Sequence, residues 1–208
     1  EYLFVHKEVK EEFINLLKEN IISFFGTEAS KSENYGRIIN QRQFLRIKNL
    51  LSQGEIIFGG KHDERNNYIS PTLIKPYELN NSLMQDEIFG PILPILEFEN
   101  IESVIEYINQ RPRPLALYYF GNKNINIIKR TTSGGACIND AIMHIIPHNL
   151  PFGGIGQSGM GAYHGKKSFD TFSHYKSVLK THKNFEFKIK YPPYTSLKQK
   201  IIRLFMDR

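Results

Sequence analysis

The sequence of 208 residues lacks tryptophan and contains a single cysteine, Cys137. One cysteine excludes an internal disulfide framework and suits a reducing compartment. His144 and His148 are four residues apart, but Pro147 between them argues against a shared helix, so no metal site is predicted. No apolar run approaches the ~20 residues that a membrane-spanning helix needs, and the opening residues do not resemble a secretory leader. We expect a soluble, cytoplasmic, globular protein.

Long tracts of one charge are also absent. Lysine and arginine number 27 against 21 aspartates and glutamates, for a formal net charge of +6. That charge could attract an anionic cofactor or nucleic acid. The basic residues are dispersed, however, and are densest at Lys166–Lys167 and in the tail from Lys180 to Arg208. We therefore expect no nucleic-acid partner; such a partner would require steeply salt-dependent binding.

Apolar periodicity alternates between the spacing of strands and that of helices. Strands are predicted at 2–6, 55–58, 68–74, 92–98, 115–120 and 136–138. Helices are predicted from Val9 to a Gly26 cap, from an Asn40 cap to Gly54, from an Asn100 cap, at 125–130, and from a Thr195 cap. This alternation predicts an α/β fold with a largely parallel sheet. Because a strand opens the chain at once, we expect a fold entered midway.

The segment LPFGGIGQSGMGAYHGK, residues 150–166, is rich in glycine. Gly154, Gly156 and Gly159 match the G-x-G-x-x-G dinucleotide fingerprint, which requires a strand before it and a helix start behind it. Here a proline-containing stretch precedes the motif and more glycines follow. We interpret the glycines as permitting tight turns and close backbone approach, and as presenting Phe152. The alternative for Phe152 is an ordinary core position.

The segment MQDEIFGP, residues 84–91, places Glu87 two residues before Phe89. A carboxylate accepts hydrogen bonds from two adjacent sugar hydroxyls, and a ring offers a flat apolar face to a heterocycle. The ordinary alternative is a solvated acidic pair in a loop. The residue types alone leave these two interpretations level.

Five segments carry a specific resemblance. In order along the chain they are MQDEIFGPILPI, RPLALYYF, SGGACIND, LPFGGIGQSGMGAYHGKKSFDTFSH and YPPYTSLKQKI. Together they resemble the C-terminal portion of the aldehyde dehydrogenase superfamily, and within it the class 3, fatty-aldehyde-type branch. The resemblance covers nearly the whole chain. It implies a fragment of a larger fold, with part of the catalytic domain over 1–165 and a C-terminal oligomerisation arm over 166–208.

The resemblance implies an enzyme that oxidises aldehydes to carboxylic acids with NAD or NADP. In the family a cysteine thiolate attacks the carbonyl, hydride passes to the nicotinamide, and a glutamate activates the hydrolytic water. Glu87 matches the glutamate that holds the nicotinamide ribose, and Phe89 matches the ring beside the nicotinamide. Gln43 falls where relatives also approach the cofactor. The resemblance therefore favours the sugar-binding interpretation of Glu87.

The resemblance also implies a substrate pocket. Phe152 matches the aromatic residue that lines the aldehyde tunnel, and class 3 relatives complete this pocket at the positions of Ile142, Ile145, Ile146 and His164. Aliphatic side chains at three of these positions favour an apolar aldehyde, because burial of each methylene contributes ~0.8 kcal/mol.

No catalytic residue is expected within these 208 residues. The family nucleophile precedes the strand that begins with Tyr2, and Cys137 stands at a strand position without an adjacent base or helix N-terminus that would activate it. Alone, the chain should not oxidise aldehydes. The alternative is a truncated, non-catalytic relative that acts as a dimerisation or interaction module. A cysteine in the family's setting just upstream of Glu1 would favour the enzyme.

The expected partners are an aldehyde substrate and a second copy of the protein. The resemblance implies a homodimer formed through the arm. It implies membrane association only if an anchor follows Arg208, as in some class 3 relatives.

Overall fold

Eight strands and seven α-helices are formed by the residues that the computed structural model describes, which are 1–122, 126–184 and 186–206. The strands are β1 (Leu3–His6), β2 (Gly54–Phe58), β3 (His62–Asp63), β4 (Tyr68–Ile69), β5 (Thr72–Pro76), β6 (Ile92–Phe98), β7 (Ala116–Tyr119) and β8 (Gly135–Ile138). The helices are α1 (Lys10–Phe25), α2 (Gln41–Leu50), α3 (Ser82–Gln85), α4 (Ile101–Asn109), α5 (Ile127–Arg130), α6 (Gly165–Thr171) and α7 (Ser196–Met206).

The main sheet has the strand order β1-β6-β5-β2. Strand β6 pairs in parallel with β1 and with β5, whereas β2 joins β5 antiparallel. A second parallel pair, β7 and β8, sets Ala116 opposite Gly135, and β3 and β4 form a small antiparallel hairpin. The predicted α/β class with a largely parallel sheet is confirmed.

Three of the predicted helix caps are present in the structure. The Gly26 N–H donates to the Ile22 carbonyl at 2.8 Å and ends α1. The Asn40 side chain accepts from the Gln43 N–H at 2.9 Å and starts α2. Asn100 starts α4 in the same way. Because each cap satisfies an orphan backbone group, these three residues decide where the helices begin and end.

The prediction of one continuous strand over 68–74 is wrong. The segment divides into β4 and β5 because Pro71 has no N–H for the ladder, while the Ser70 N–H bonds to the Lys61 carbonyl at 2.8 Å. Helix α2 also ends at Leu50 rather than at Gly54, where β2 begins. A Cβ at Gly54 would lie 2.4 Å from the Lys75 carbonyl oxygen, so glycine there permits close strand pairing.

The predicted helix at 125–130 corresponds to α5. Residue 125 lies outside the described residues. Helix α5 starts at Ile127, which is buried, and its last residue, Arg130, is bound to Glu102 of α4. The predicted helix is therefore confirmed over the part that the structure describes.

Two apolar clusters cover the two faces of the main sheet. Adjacent residues of β5 point to opposite faces, so Ile74 packs with α2 and Leu73 packs with α1. Phe44 and Ile47 of α2 are completely buried, which contributes roughly 1.5–3 kcal/mol for each side chain. Ile88 is buried in the α2 cluster and anchors the turn on which Glu87 and Phe89 lie.

The predicted arm begins within a helix, since α6 starts at Gly165. Beyond it, large side chains are open to solvent: Phe172 is 91% exposed and Leu179 is 90% exposed. The division into a domain over 1–165 and an arm over 166–208 remains a prediction. Among the described residues, no helix has the length and hydropathy needed to cross a membrane.

Candidate functional site

A cleft of about 640 Å³ opens between α2 and the turn that follows α3. The predicted cofactor residues Gln43, Glu87 and Phe89 all line it, although 43 residues of chain separate Gln43 from the other two. Ile88 is fully buried while both neighbours are exposed, so the turn directs Glu87 and Phe89 outward together. The remaining lining residues are Arg37, Ile38, Ile39 and Arg46.

Arg46 connects the two walls of this cleft and was not predicted. Its Nε donates to Gln43 Oε1 at 2.7 Å, and its Nη atoms donate to the carbonyls of Glu87 at 3.2 Å and Ile88 at 2.6 Å. The guanidinium fork thus fixes the Gln43 side chain and the backbone of the turn at once. Its spacing of three residues from Gln43, on one helix face, was the available sequence signal.

A second arginine, Arg111, contacts the same region from the segment that follows α4. The Arg111 Nη1 donates to the Met84 carbonyl at 2.8 Å, and Nη2 donates to the Leu79 carbonyl. Gly90 contributes by its small size, since a Cβ there would lie 2.8 Å from Ile47 Cδ1. The turn is therefore packed on α2 at its end, and α3 before it is bound to the segment that follows α4.

The wall of the cleft at Arg37 is also fixed. Arg37 donates to the Tyr35 carbonyl at 2.9 Å and lies over the Tyr68 ring at 5.0 Å. The Tyr35 hydroxyl donates to the Ile69 carbonyl at 2.7 Å, and burial raises the pKa of Tyr35 well above its usual value. Arg37 and Arg46 therefore place two positive charges in the lining, beside the negative charge of Glu87.

Backbone strain concentrates at the predicted site residues. Among the described residues, five non-glycine positions have positive φ, and two of these are Asn67 and Asn139, a residue type that tolerates this conformation. The other three are Phe89 (+45°), Ile142 (+68°) and His164 (+89°). Such conformations cost about 1–3 kcal/mol each and cluster at functional sites.

Phe152 and His164, both predicted to line the substrate pocket, are neighbours. Phe152 exchanges backbone hydrogen bonds with Tyr163 at 3.0 and 2.9 Å, which sets the rings of Phe152 and His164 with their centroids 6.3 Å apart. The His164 Nδ1 lies 3.2 Å from the Leu150 carbonyl, and its backbone N–H donates to Ser168 Oγ at 2.8 Å. The bridge between 152 and 163 therefore positions both side chains.

The glycines between these residues permit close backbone contacts, as predicted. A Cβ at Gly153 would lie 2.2 Å from the Gly161 carbonyl oxygen, and one at Gly154 would lie 2.0 Å from the Ser158 oxygen. No helix starts directly after the G-x-G-x-x-G match; the next one, α6, begins at Gly165. The segment is a folded-back loop and lacks the strand–turn–helix setting of a dinucleotide fingerprint.

The three predicted isoleucines lie around a short 3₁₀ helix, Met143–Ile145. Ile142 and Ile146 are 65% and 57% exposed, and Ile145 is half-buried. A second cleft of about 290 Å³ adjoins the glycine loop, and of the five predicted substrate residues only Phe152 lines it. The structure thus brings Phe152 and His164 together, while the isoleucines line neither cleft.

His144, at the centre of that 3₁₀ helix, was also missed. Its ring lies between those of Tyr118 at 5.8 Å and Phe152 at 5.5 Å, and both ring nitrogens are buried without a hydrogen-bond partner in the structure. A Cβ at Gly135 would lie 2.6 Å from the imidazole. His144 therefore packs the isoleucine segment against Phe152.

Cys137 lies in β8, half-buried and paired in register with Tyr118. It lines neither of the two clefts. Within the described parts of the chain, histidine, cysteine and acidic side chains form no group of three that could hold a metal ion.

Comparison with known proteins places this geometry in a family. The aldehyde dehydrogenase family model matches residues 1–178. The 4,4'-diaponeurosporen-aldehyde dehydrogenase of Staphylococcus aureus is 43% identical over 99% of this chain and 46% of its own length. The dimeric NADP-preferring aldehyde dehydrogenase of Rattus norvegicus is 45% identical over 93% of this chain and 44% of its own. Aldehyde dehydrogenase family 3 member A2 of Rattus norvegicus is 44% identical over 99% of this chain and 44% of its own length.

A solved structure agrees with these matches. The substrate-bound state of Staphylococcus aureus AldH superposes with a TM-score of 0.79 at 42% identity, over 99% of this chain and 46% of that one. The chain spans about half the length of the curated relatives that it matches. Both the sequence identity and the fold show that the chain belongs to the aldehyde dehydrogenase family, with family 3 members among its relatives.

Proposed function

We propose that this chain is part of an aldehyde dehydrogenase that oxidises apolar aldehydes to carboxylic acids with NAD or NADP. Within it, the chain holds the nicotinamide end of the cofactor and forms one wall of the aldehyde site. The observation that carries the proposal is the common cleft of Gln43, Glu87 and Phe89. Sequence identities above 40% to named aldehyde dehydrogenases support it.

The cleft has the groups that a nicotinamide nucleotide requires. Glu87 is exposed, so its carboxylate is free to accept hydrogen bonds from both ribose hydroxyls. Phe89 is 72% exposed on strained backbone and offers its ring to a flat heterocycle. Arg46 holds the turn in place, and with Arg37 it supplies positive charge toward a diphosphate. When bound, the nicotinamide supplies the hydride acceptor for the oxidation.

The proposed aldehyde wall consists of Phe152 and His164, with Ile142, Ile145 and Ile146 on the adjoining segment. The exposed isoleucines and the Phe152 ring would bury an apolar chain, with a gain of ~0.8 kcal/mol for each methylene. A 43% identical relative is named for a diaponeurosporen aldehyde, which accords with an apolar substrate.

The nucleophile and the general base are proposed to lie outside these 208 residues. Cys137 is paired within β8 and lines neither cleft, which disfavours it as the nucleophile. For the assembly, we propose a homodimer in which the arm over 166–208 contributes contacts. Its exposed aromatic residues and the name of the dimeric rat relative support this.

The decisive experiment is Glu87→Gln in the full-length protein that contains this chain. The change removes one charge at the ribose, so kcat should fall and KM for NAD or NADP should rise, together by about tenfold or more in kcat/KM. Asp86→Asn is the matched control, because Asp86 is the exposed neighbouring acid and does not line the cleft. Cys137→Ser should leave turnover unchanged.

Equal steady-state constants for Glu87→Gln and the unchanged protein would refute the assigned role of Glu87. A full-length protein that dimerises but oxidises no aldehyde with either cofactor would refute the proposed activity. That second result would favour an interaction module instead.

A further inference from the structure

His144 lies between the β7–β8 pair and the aromatic residue that is proposed to line the aldehyde site. Its ring centroid is 5.8 Å from that of Tyr118 in β7 and 5.5 Å from that of Phe152 in the glycine loop. It rests on Gly135 of β8, where a Cβ would lie 2.6 Å from the imidazole Cδ2. The strand pair, the imidazole and the Phe152 ring therefore form three successive layers.

Stability does not explain a histidine at this place. Both ring nitrogens of His144 are buried and have no hydrogen-bond partner among the described residues. A neutral imidazole carries one N–H donor and one acceptor, and leaving them unsatisfied reduces stability. A phenylalanine would fill the same aromatic surroundings without this penalty. What histidine provides is the smallest of the aromatic rings, which keeps the Phe152 ring close to the strand pair.

The backbone at Phe152 is fixed, so its side chain is the part that responds to the size of the neighbouring ring. Phe152 exchanges backbone hydrogen bonds with Tyr163 at 3.0 and 2.9 Å. At the next residue, Gly153, a Cβ would lie 2.2 Å from the Gly161 carbonyl oxygen. Close-packed interiors transmit a change of volume to the adjacent side chain. A larger group behind Phe152 should therefore move its ring outward, and a smaller group should let it retreat.

We propose that His144 is a positioning residue that sets the width of the aldehyde site through the Phe152 ring. Gly135 sets the depth at which the imidazole rests, so these two residues determine which aldehydes fit without contacting them. The inference rests on the proposed role of Phe152 in the aldehyde wall. A purely structural role for His144 predicts instead that its substitution lowers kcat/KM equally for all aldehydes.

Aldehydes of graded length and branching, assayed with the full-length protein, test the proposal. His144→Ala should raise the ratio of kcat/KM for bulky over small aldehydes by about threefold to tenfold, because the Phe152 ring retreats. His144→Phe should lower this ratio by a similar factor. Gly135→Ala should act like His144→Phe, because its Cβ displaces the imidazole from the strands, and Gly135 is not among the glycines with positive φ. The KM for the cofactor should stay unchanged in all three variants.

His182→Ala is the matched control, because His182 is exposed, lines neither cleft and follows the residues that the family model matches. It should leave the substrate profile unchanged. An equal loss for every aldehyde in the His144 variants would overturn the proposal. So would an unchanged profile in the His144 and Gly135 variants when Phe152→Ala changes it. An unchanged profile for Phe152→Ala as well would refute the proposed role of Phe152, and this inference with it.

Crystal structures of the full-length His144→Phe and Gly135→Ala variants give a measurement that needs no activity. Relative to the unchanged protein, the Phe152 ring should be displaced while its Cα stays in place. A Phe152 ring that keeps its position in both variants would overturn the proposal.

Discussion

Arg46→Met tests whether the proposed cofactor cleft depends on one guanidinium fork. Arg46 is half-buried and makes three hydrogen bonds, two of which cross from α2 to the carbonyls of Glu87 and Ile88. Methionine keeps the apolar stem and removes all three donors. We expect the turn to lose its fixed position while the core beneath it, including buried Ile88, stays packed.

The magnitude follows from the two crossing bonds. Hydrogen bonds to a charged group contribute about 1.5–3 kcal/mol each, and partial exposure of Arg46 reduces this to a combined loss of about 2–3 kcal/mol. In a protein of about twice this length, as the relatives are, that loss lowers the thermal midpoint by about 2–3 °C. Displacement of the Glu87 carboxylate by an ångström should raise the KM for the cofactor by about tenfold to a hundredfold.

The assay is steady-state kinetics of the full-length protein, with cofactor and aldehyde varied separately, beside thermal unfolding. Arg46→Lys keeps the charge but loses the planar fork, so its cofactor KM should be close to that of Arg46→Met. A lowered midpoint with an unchanged cofactor KM would refute the positioning role and leave Arg46 as a structural residue only. Recovery by lysine would show that charge, not geometry, is what matters.

Three further outcomes are expected. Phe152→Ala should shift kcat/KM toward longer or bulkier aldehydes by about tenfold, and an unchanged substrate profile would exclude a tunnel role. Gly154→Ala should destabilise the protein by about 3 kcal/mol in denaturant unfolding, because its Cβ would lie 2.0 Å from the Ser158 oxygen. Burial raises the pKa of Tyr35 above the unfolded value of 10.0, so its stabilisation is present below pH 10 and is lost as pH rises further. Tyr35→Phe should therefore cost about 1 kcal/mol at neutral pH, through the lost bond to Ile69, and should flatten the alkaline decline in stability.

Local signals predicted most of the fold. Caps at Gly26, Asn40 and Asn100 act within one helical turn, so sequence alone locates them. The error at 68–74 had a local signal too, because Pro71 within an apolar run argues against a continuous strand. The antiparallel pairing of β2 with β5 could not be predicted from the sequence. The loop and the hairpin that connect the two strands set this pairing, and apolar periodicity does not specify their geometry.

The candidate site was predictable in part. The motif MQDEIFGP indicated Glu87 and Phe89 as site residues. Both side chains face outward because they flank Ile88, whose side chain is buried. The contacts of Arg46 with the turn could not be predicted, because its partners there lie 41 and 42 residues further along the chain. Its function exists only once α2 packs on the turn. His144 was missed for the same reason, since its aromatic neighbours come from β7 and from the glycine loop.

The predicted cofactor residues and Phe152 line two separate clefts, and these clefts are fixed by different means. A guanidinium fork from Arg46 holds the turn of Glu87 and Phe89, whereas close backbone packing at Gly153 and Gly154 holds Phe152. No hydrogen bond found in the described parts of the chain joins Arg46 to the glycine loop, so the two supports are energetically separate. Perturbation of Arg46 should therefore change cofactor constants and leave aldehyde preference intact, while perturbation of Gly154 should do the reverse. Coupled effects on both constants from either change would show that the two clefts move as one body.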